Sequence, residues 1–252
     1  MTPQNKLERS LVQAATDPAY RPQFYRDLVE SDIFIIQHGS RFTEIKETIT
    51  ESDFQLKVQP IEYNGKQCLP AFSSLPRLQA VIKEQVSYIA LNALVFLKAT
   101  RGANLILNPG SDCAKEFGPD EVASLLDGSL WKPTEPQVTP ENTKVLIGQP
   151  AKYPSELVDA LCRLFAQNTQ VEEAYLAHFF NPKRDEKPHT LIALEVVGDY
   201  DAIVAEAGIV VKEVRVPDPP VNFVQLRCNG LVESYFASGV KPFYQRKLFS
   251  LI

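Results

Sequence analysis

A chain of 252 residues is long enough for one large domain or two ordinary ones. With 44% hydrophobic and 23% charged residues it can bury a core unaided, which excludes a disordered chain or a disulfide scaffold. Its net charge of -5 lacks the basic surplus of a nucleic-acid binder, so no nucleic-acid partner is expected.

The N-terminal run MTPQNKLERSLVQAATDP has no apolar h-region, and no stretch approaches the roughly 18 apolar residues of a membrane span. The expectation is a cytoplasmic protein without a membrane span. Leu7, Leu11, Ala14 and Ala15 recur on one helical face. Asp17 can cap a second helix with Pro18 at its first position, where a missing N–H costs nothing. Tyr20, Phe24 and Leu28 form its apolar stripe, and Ile33–Ile36 reads as a strand.

Residues 53–72 read as a hairpin, with Phe54, Leu56 and Val58 alternating on the first arm and Cys68 to Phe72 on the second. Asn64-Gly65 is its turn, because both residues accept positive φ. Ser73-Ser74 can cap a helix striped by Leu75, Leu78, Val81 and Ile82. Val86–Leu91 predicts a strand, Asn92 a cap for a helix over 93–99, and Asn104–Leu107 a strand ended by the turn Asn108-Pro109-Gly110. A helix from Pro119 buries Val122, Leu125 and Leu126 and stops at Gly128.

Pro133, Pro136 and Pro140 make 129–142 a stiff linker, with Trp131 packing onto a domain. Beyond it come a strand at 144–148, a helix at 154–167, strands at 171–180 and 190–197, a helix from Asp199 to Ala207 and a strand over Ile209–Val216. That order, βαββαβ, is the split-βαβ or ferredoxin-like pattern. A strand at 221–227, a helix near 230–237 and a tail follow. The organisation is therefore α+β. Residues 1–128 form an N-terminal α+β domain, 129–142 a Pro-rich linker, and 143–252 a ferredoxin-like domain with a C-terminal extension.

Cys68, Cys113, Cys162 and Cys228 are scattered, with no CxxC and no Cys/His cluster, so free thiols and no metal are expected. No GxxxxGK[ST], GxGxxG, HExxH or Ser-x-Gly elbow occurs, so no cofactor is expected. His38, His178 and His189 belong to no catalytic pattern. Cys113 is the weak candidate for a nucleophile. It sits in a loop before a helix, but Asp112, Glu116, Asp120 and Glu121 surround it in sequence and suppress a thiolate, with only Lys115 opposing them. The loop Lys183 to Lys187 mixes both signs and reads as solvated.

The segment 240–252 carries three positive charges, no negative side chain and seven apolar side chains besides Pro242. Such a mixture can dock on a protein partner, or fold back onto a core. The two are compatible if Phe243 and Tyr244 pack while Arg246 and Lys247 form an interface rim.

The run Ala15 to Ser31 resembles the first helix pair of the enhanced-serine-sensitivity family (SseB), which is distinct from the type III secretion translocon protein of that abbreviation. Pro70 to Ser74, Leu107 to Gly110 leading to Lys115-Glu116-Phe117, and Pro242 to Lys247 fit the same family. The resemblance implies both family domains along nearly the whole chain. It implies no reaction, cofactor or catalytic residue.

The leading expectation is a non-catalytic adaptor or regulator that binds a protein through Phe243, Tyr244, Arg246 and Lys247. The alternatives are an accessory or thiol-dependent protein of sulfur or amino-acid metabolism using Cys113, and an amino-acid sensor. Homo-oligomerisation through a sheet edge is compatible with the sequence, though no motif specifies it.

Overall fold

The computed structural model describes residues 2–37, 58–132, 144–226 and 230–246. The chain is α+β and divides into two compact units. The first comprises Met1–Thr16 and Gln23–Leu130, the second Asp17–Pro22 and Trp131–Ile252. No helix among the described residues is long and apolar enough to cross a membrane.

In the first unit, α1 (Lys6–Thr16) buries Leu7, Leu11 and Ala14, as its spacing predicts, while Ala15 is exposed and Glu8 is buried. The next helix, α2 (Arg21–Glu30), buries Phe24, Tyr25 and Leu28. Strand β1 (Asp32–Ile36) pairs antiparallel with β4 (Tyr88–Asn92). A four-stranded sheet has the order β2 (Ile61–Tyr63), β3 (Lys66–Ala71), β5 (Asn104–Leu107), β6 (Lys115–Phe117). Reciprocal backbone bonds between Phe34 and Phe72, at 2.8 and 3.0 Å, join β1 to the end of β3.

The β2–β3 turn is Asn64-Gly65, with φ of 48° and 74°. Phe54 and Leu56 lie outside the described residues, and Val58 precedes the hairpin strand, which begins at Ile61. Between β3 and β5 run α3 (Leu75–Val81), capped by Ser74, and α4 (Ala93–Ala99), capped by Asn92. Because β3 and β5 are parallel, with Ala71 opposite Leu107, the segments after them emerge side by side. The final helix, α5 (Pro119–Leu126), buries Val122 and Leu125.

In the second unit, β8 (Val171–Phe180) and β9 (His189–Val196) form a long antiparallel pair. Strand β10 (Val221–Gln225) adds parallel to β9. On the other edge of β8 lie two short antiparallel strands, β7 (Leu146–Gly148) opposite Phe180 to His178, and β11 (Tyr244–Gln245) opposite Ala174 and Glu173.

Helices α6 (Ser155–Ala166) and α7 (Tyr200–Val211) build the main core with one sheet face, through residues such as Leu161, Phe165, Ile203 and Val210. Phe236 of α8 (Gly230–Ala237) joins Ala177, Phe179 and Ala193 in a second cluster.

Two expectations are corrected. The strand over Ile209–Val216 does not form, and α7 continues to Val211. Its β-branched run is helical because Ile203, Val204, Ala207 and Val210 already lie at helical spacing and are all buried. The strand order also departs from the ferredoxin-like one, since β7 pairs with β8 where a split βαβ places the first strand beside the third. The hairpin loop 181–188 keeps β8 and β9 adjacent, and α7 instead carries the chain to β10. The order of elements matches the pattern, but order alone does not choose partners.

Candidate functional site

The tail residues come from β11 and its flanks. Phe243 and Tyr244 are half-buried, their rings 6.5 and 5.7 Å from Phe165 of α6. Tyr244 Oη donates to Phe165 O at 3.0 Å, and Phe243 N donates to Ala174 O at 2.8 Å. The Cys162 thiol donates to Phe243 O at 3.5 Å, and burial pushes that thiol up from its ordinary pKa. Arg246 N donates to Glu172 O at 2.8 Å, while the guanidinium meets the Glu172 carboxylate at 3.5 Å and Thr169 O. The aromatic pair therefore fastens the segment to the second unit as an edge strand. Lys247 lies outside the described residues.

Cys113 lies in the loop between β5 and β6 and is 5% exposed. Its N–H donates to Ser111 Oγ at 3.3 Å. A nucleophile must meet its substrate, and this thiol faces the interior. Among the described residues no group of three His, Cys, Asp or Glu could hold a metal.

Two histidine–carboxylate pairs sit near one end of the second sheet. His178 Nε2 lies 3.1 Å from Asp218 Oδ2. His189, placed in sequence beside a charged loop, is 3% exposed and its ring lies 5.5 Å from Phe179. His189 Nε2 is 2.7 Å from Asn222 Nδ2, and Nδ1 is 3.7 Å from Asp185 Oδ2. Burial pushes the His189 pKa down, against the opposing pull of Asp185. Cross-strand neighbours share a face, so His189 faces with Phe179 and His178 with Thr190. Successive residues alternate, so the two pairs occupy opposite faces and form no single centre.

The most elaborate polar arrangement was not visible in the sequence. Glu8 of α1 is fully buried, and it points at the paired segments that follow β3 and β5. Glu8 Oε1 accepts from Ser73 Oγ at 2.9 Å and Ser74 Oγ at 2.6 Å. Oε2 accepts from Gln4 N at 2.9 Å and lies 3.3 Å from Arg77 Nε. Asn5 closes the surround, accepting from Glu8 N at 2.9 Å and donating to Ser73 O at 2.7 Å.

Behind the serines, Asn108 Nδ2 donates to Ser73 Oγ at 2.8 Å and Asn108 Oδ1 accepts from Ser73 N at 2.9 Å. Arg77 N donates to Ser74 Oγ at 3.4 Å. Burial pushes the Glu8 carboxyl up, but Ser74, Gln4, Ser73 and Arg77 outweigh it and hold the pKa below its ordinary value. The motif Pro70 to Ser74 and the turn at Asn108 were legible as caps and turns. A glutamate next to an apolar stripe reads as solvated, so nothing local marked Glu8 as their partner.

Residues 7–124 match the model described as the SseB protein N-terminal domain, and residues 139–246 match the SseB protein C-terminal domain. The chain is 30% identical over 246 residues to "Protein SseB" of Escherichia coli (strain K12), covering 96% of this chain and 93% of that protein. The identity and coverage are the same with "Protein SseB" of Shigella flexneri. No solved structure matches the chain significantly.

Proposed function

The chain belongs to the SseB family, with both family domains present, and from that premise we propose that it is a non-catalytic cytoplasmic adaptor or regulator that binds a protein partner. The observation that carries the reading is the edge strand β11. Phe243 and Tyr244 spend their apolar surface on Phe165, so they preorganise the segment, and the partner contact is assigned to Arg246, whose guanidinium also meets Glu172 and Thr169 O, and to Lys247. A short strand fixed on a sheet edge presents backbone groups to an incoming strand, and basic side chains beside it select an acidic partner. The link to serine sensitivity comes from the family's name.

The test is affinity capture from the cell's own lysate with the full chain and with Arg246→Ala/Lys247→Ala, read by mass spectrometry. A partner enriched by the wild type and lost by the variant, at unchanged melting temperature, supports the reading. Equal capture by both removes these residues from the interface. Truncation before Phe243 is a poorer test, because it strips the ring contacts with Phe165 as well.

A further inference from the structure

We infer that Ser73, Ser74 and Arg77 form a carboxylate-recognition site that the Glu8 side chain occupies in cis, so that α1 is the site's internal ligand. Chemistry selects the ligand class. Ser73 Oγ receives the Asn108 amide at 2.8 Å, and Ser74 Oγ receives Arg77 N at 3.4 Å. With lone pairs engaged, both hydroxyls turn their protons outward. Asn108 Oδ1 lies 3.0 Å from Ser73 Oγ, but the charged oxygen of Glu8 is the stronger acceptor.

The Gln4 N–H donates to the second oxygen at 2.9 Å, and the Arg77 guanidinium forms an ion pair with it at 3.3 Å. Every group that meets the two oxygens is therefore a donor or a cation. Such a surround suits a group with two acceptor oxygens and a negative charge. It rejects an amide, whose N–H would meet other N–H or O–H groups. These groups are buried, with Ser73 at 1%, Ser74 at 7% and Arg77 at 3% exposure, so the preference is expressed in a medium of low polarity.

The cradle's own side chains come from the segment after β3, and Asn108, just past the neighbouring parallel strand β5, buttresses Ser73 behind them, at the strand ends where such sheets bind ligands. The occupant comes from a separate helix, α1. Leu7, Leu11 and Ala14 hold that helix in the core independently of Glu8, and Lys6 meets Asp27 at 2.8 Å. Removing the Glu8 carboxylate therefore empties the cradle and leaves α1 docked. What frees Glu8 opens a site for another carboxylate, and in its resting form the site is autoinhibited.

The experiment uses the full chain carrying Glu8→Ala, with melting temperature followed against sodium acetate. Sodium chloride at matched ionic strength and acetamide serve as controls, beside wild type and Glu8→Ala/Arg77→Met. Glu8→Ala should melt several degrees below wild type. Acetate should raise its melting temperature in proportion to the logarithm of concentration, as a ligand of the native state does. Chloride and acetamide should not, and the filled wild type and the double variant should not respond. If Glu8→Ala lacks a cooperative transition, the same titration is read as recovery of that transition by circular dichroism, and acetate should restore it. An acetate response absent, shared by acetamide, or equal in wild type or the double variant overturns the assignment.

Discussion

The Glu8 carboxylate shows how a single buried charge becomes tolerable. Three hydrogen-bond donors and the Arg77 cation surround its two oxygens, and together they outweigh the desolvation that would otherwise protonate it. Replacement of one partner leaves the others facing a mismatched group. Glu8→Gln keeps the shape but turns an N–H towards donors and leaves Arg77 with Asp112 as a charge partner, so it should cost about 3 kcal/mol in urea unfolding. The pH dependence has a defined sign. Because the folded pKa is depressed, the stabilisation is present above the unfolded value of about 4.3 and is lost as pH falls through the folded pKa. Glu8→Gln should therefore flatten the acid limb of the stability profile, and an unchanged limb would assign it to other carboxylates.

His189 works in the other direction. Burial depresses its pKa, so the unfolded chain takes a proton first as pH falls below about 6.5. Stability should decline from that pH down to the folded pKa, and His189→Gln should reduce the slope. Imidazole carbon shifts followed by NMR would locate the titration, and a midpoint at or above the free value would contradict it.

At the scale of elements, legibility tracks how local the determining chemistry is. The caps Asp17, Ser74, Asn92 and Asp199 each bond a backbone N–H within three residues, and each could be identified by residue type and spacing. The Asn64-Gly65 turn is equally local, because its backbone demands positive φ at both positions. Gly65→Ala meets no steric neighbour there, so its cost should be the conformational one alone, about 1 kcal/mol. A denaturant midpoint unmoved by that change would mean that the turn relaxes.

Strands β6 and β11, of three and two residues, escaped the sequence because so short a strand is defined by its partner and not by its own period. The β-branched end of α7 misled for the reverse reason, since burial on all sides erased the contrast that distinguishes the two periods. In the tail, aromatic and basic residues marked a special segment, but only β8 determines that Phe243 points inward. Phe243→Ala should cost about 2 kcal/mol, less than a fully buried phenylalanine would, and should speed amide exchange at Arg246, whose N–H bonds Glu172 O.

At the scale of the molecule, sequence order and physical units do not coincide. Asp17–Pro22 clusters with the second unit, although α1 and most of α2 belong to the first. Ala19 is 1% exposed within the core cluster of α6 and α7, with Tyr20 packed against it. Asp17 pairs with Arg163 at 2.6 Å, Gln167 Nε2 donates to Ala19 O at 3.4 Å, and Arg21 meets Glu213 at 3.5 Å. The sequence disclosed the Asp17-Pro18 helix start but not its destination, since a cap reports its own backbone and not the surface it packs on. The second unit therefore includes a segment that lies within the N-terminal family match. A charge placed there must act on the second unit's core. Ala19→Glu should destabilise that unit by about 3 kcal/mol, because a carboxylate without a partner would enter an apolar cluster. Hydrogen exchange followed by mass spectrometry gives the local readout: faster exchange in α6 and in β8 near Val171 is the expected result. Unchanged exchange in those elements would show that the 17–22 segment is dispensable to the second unit's fold.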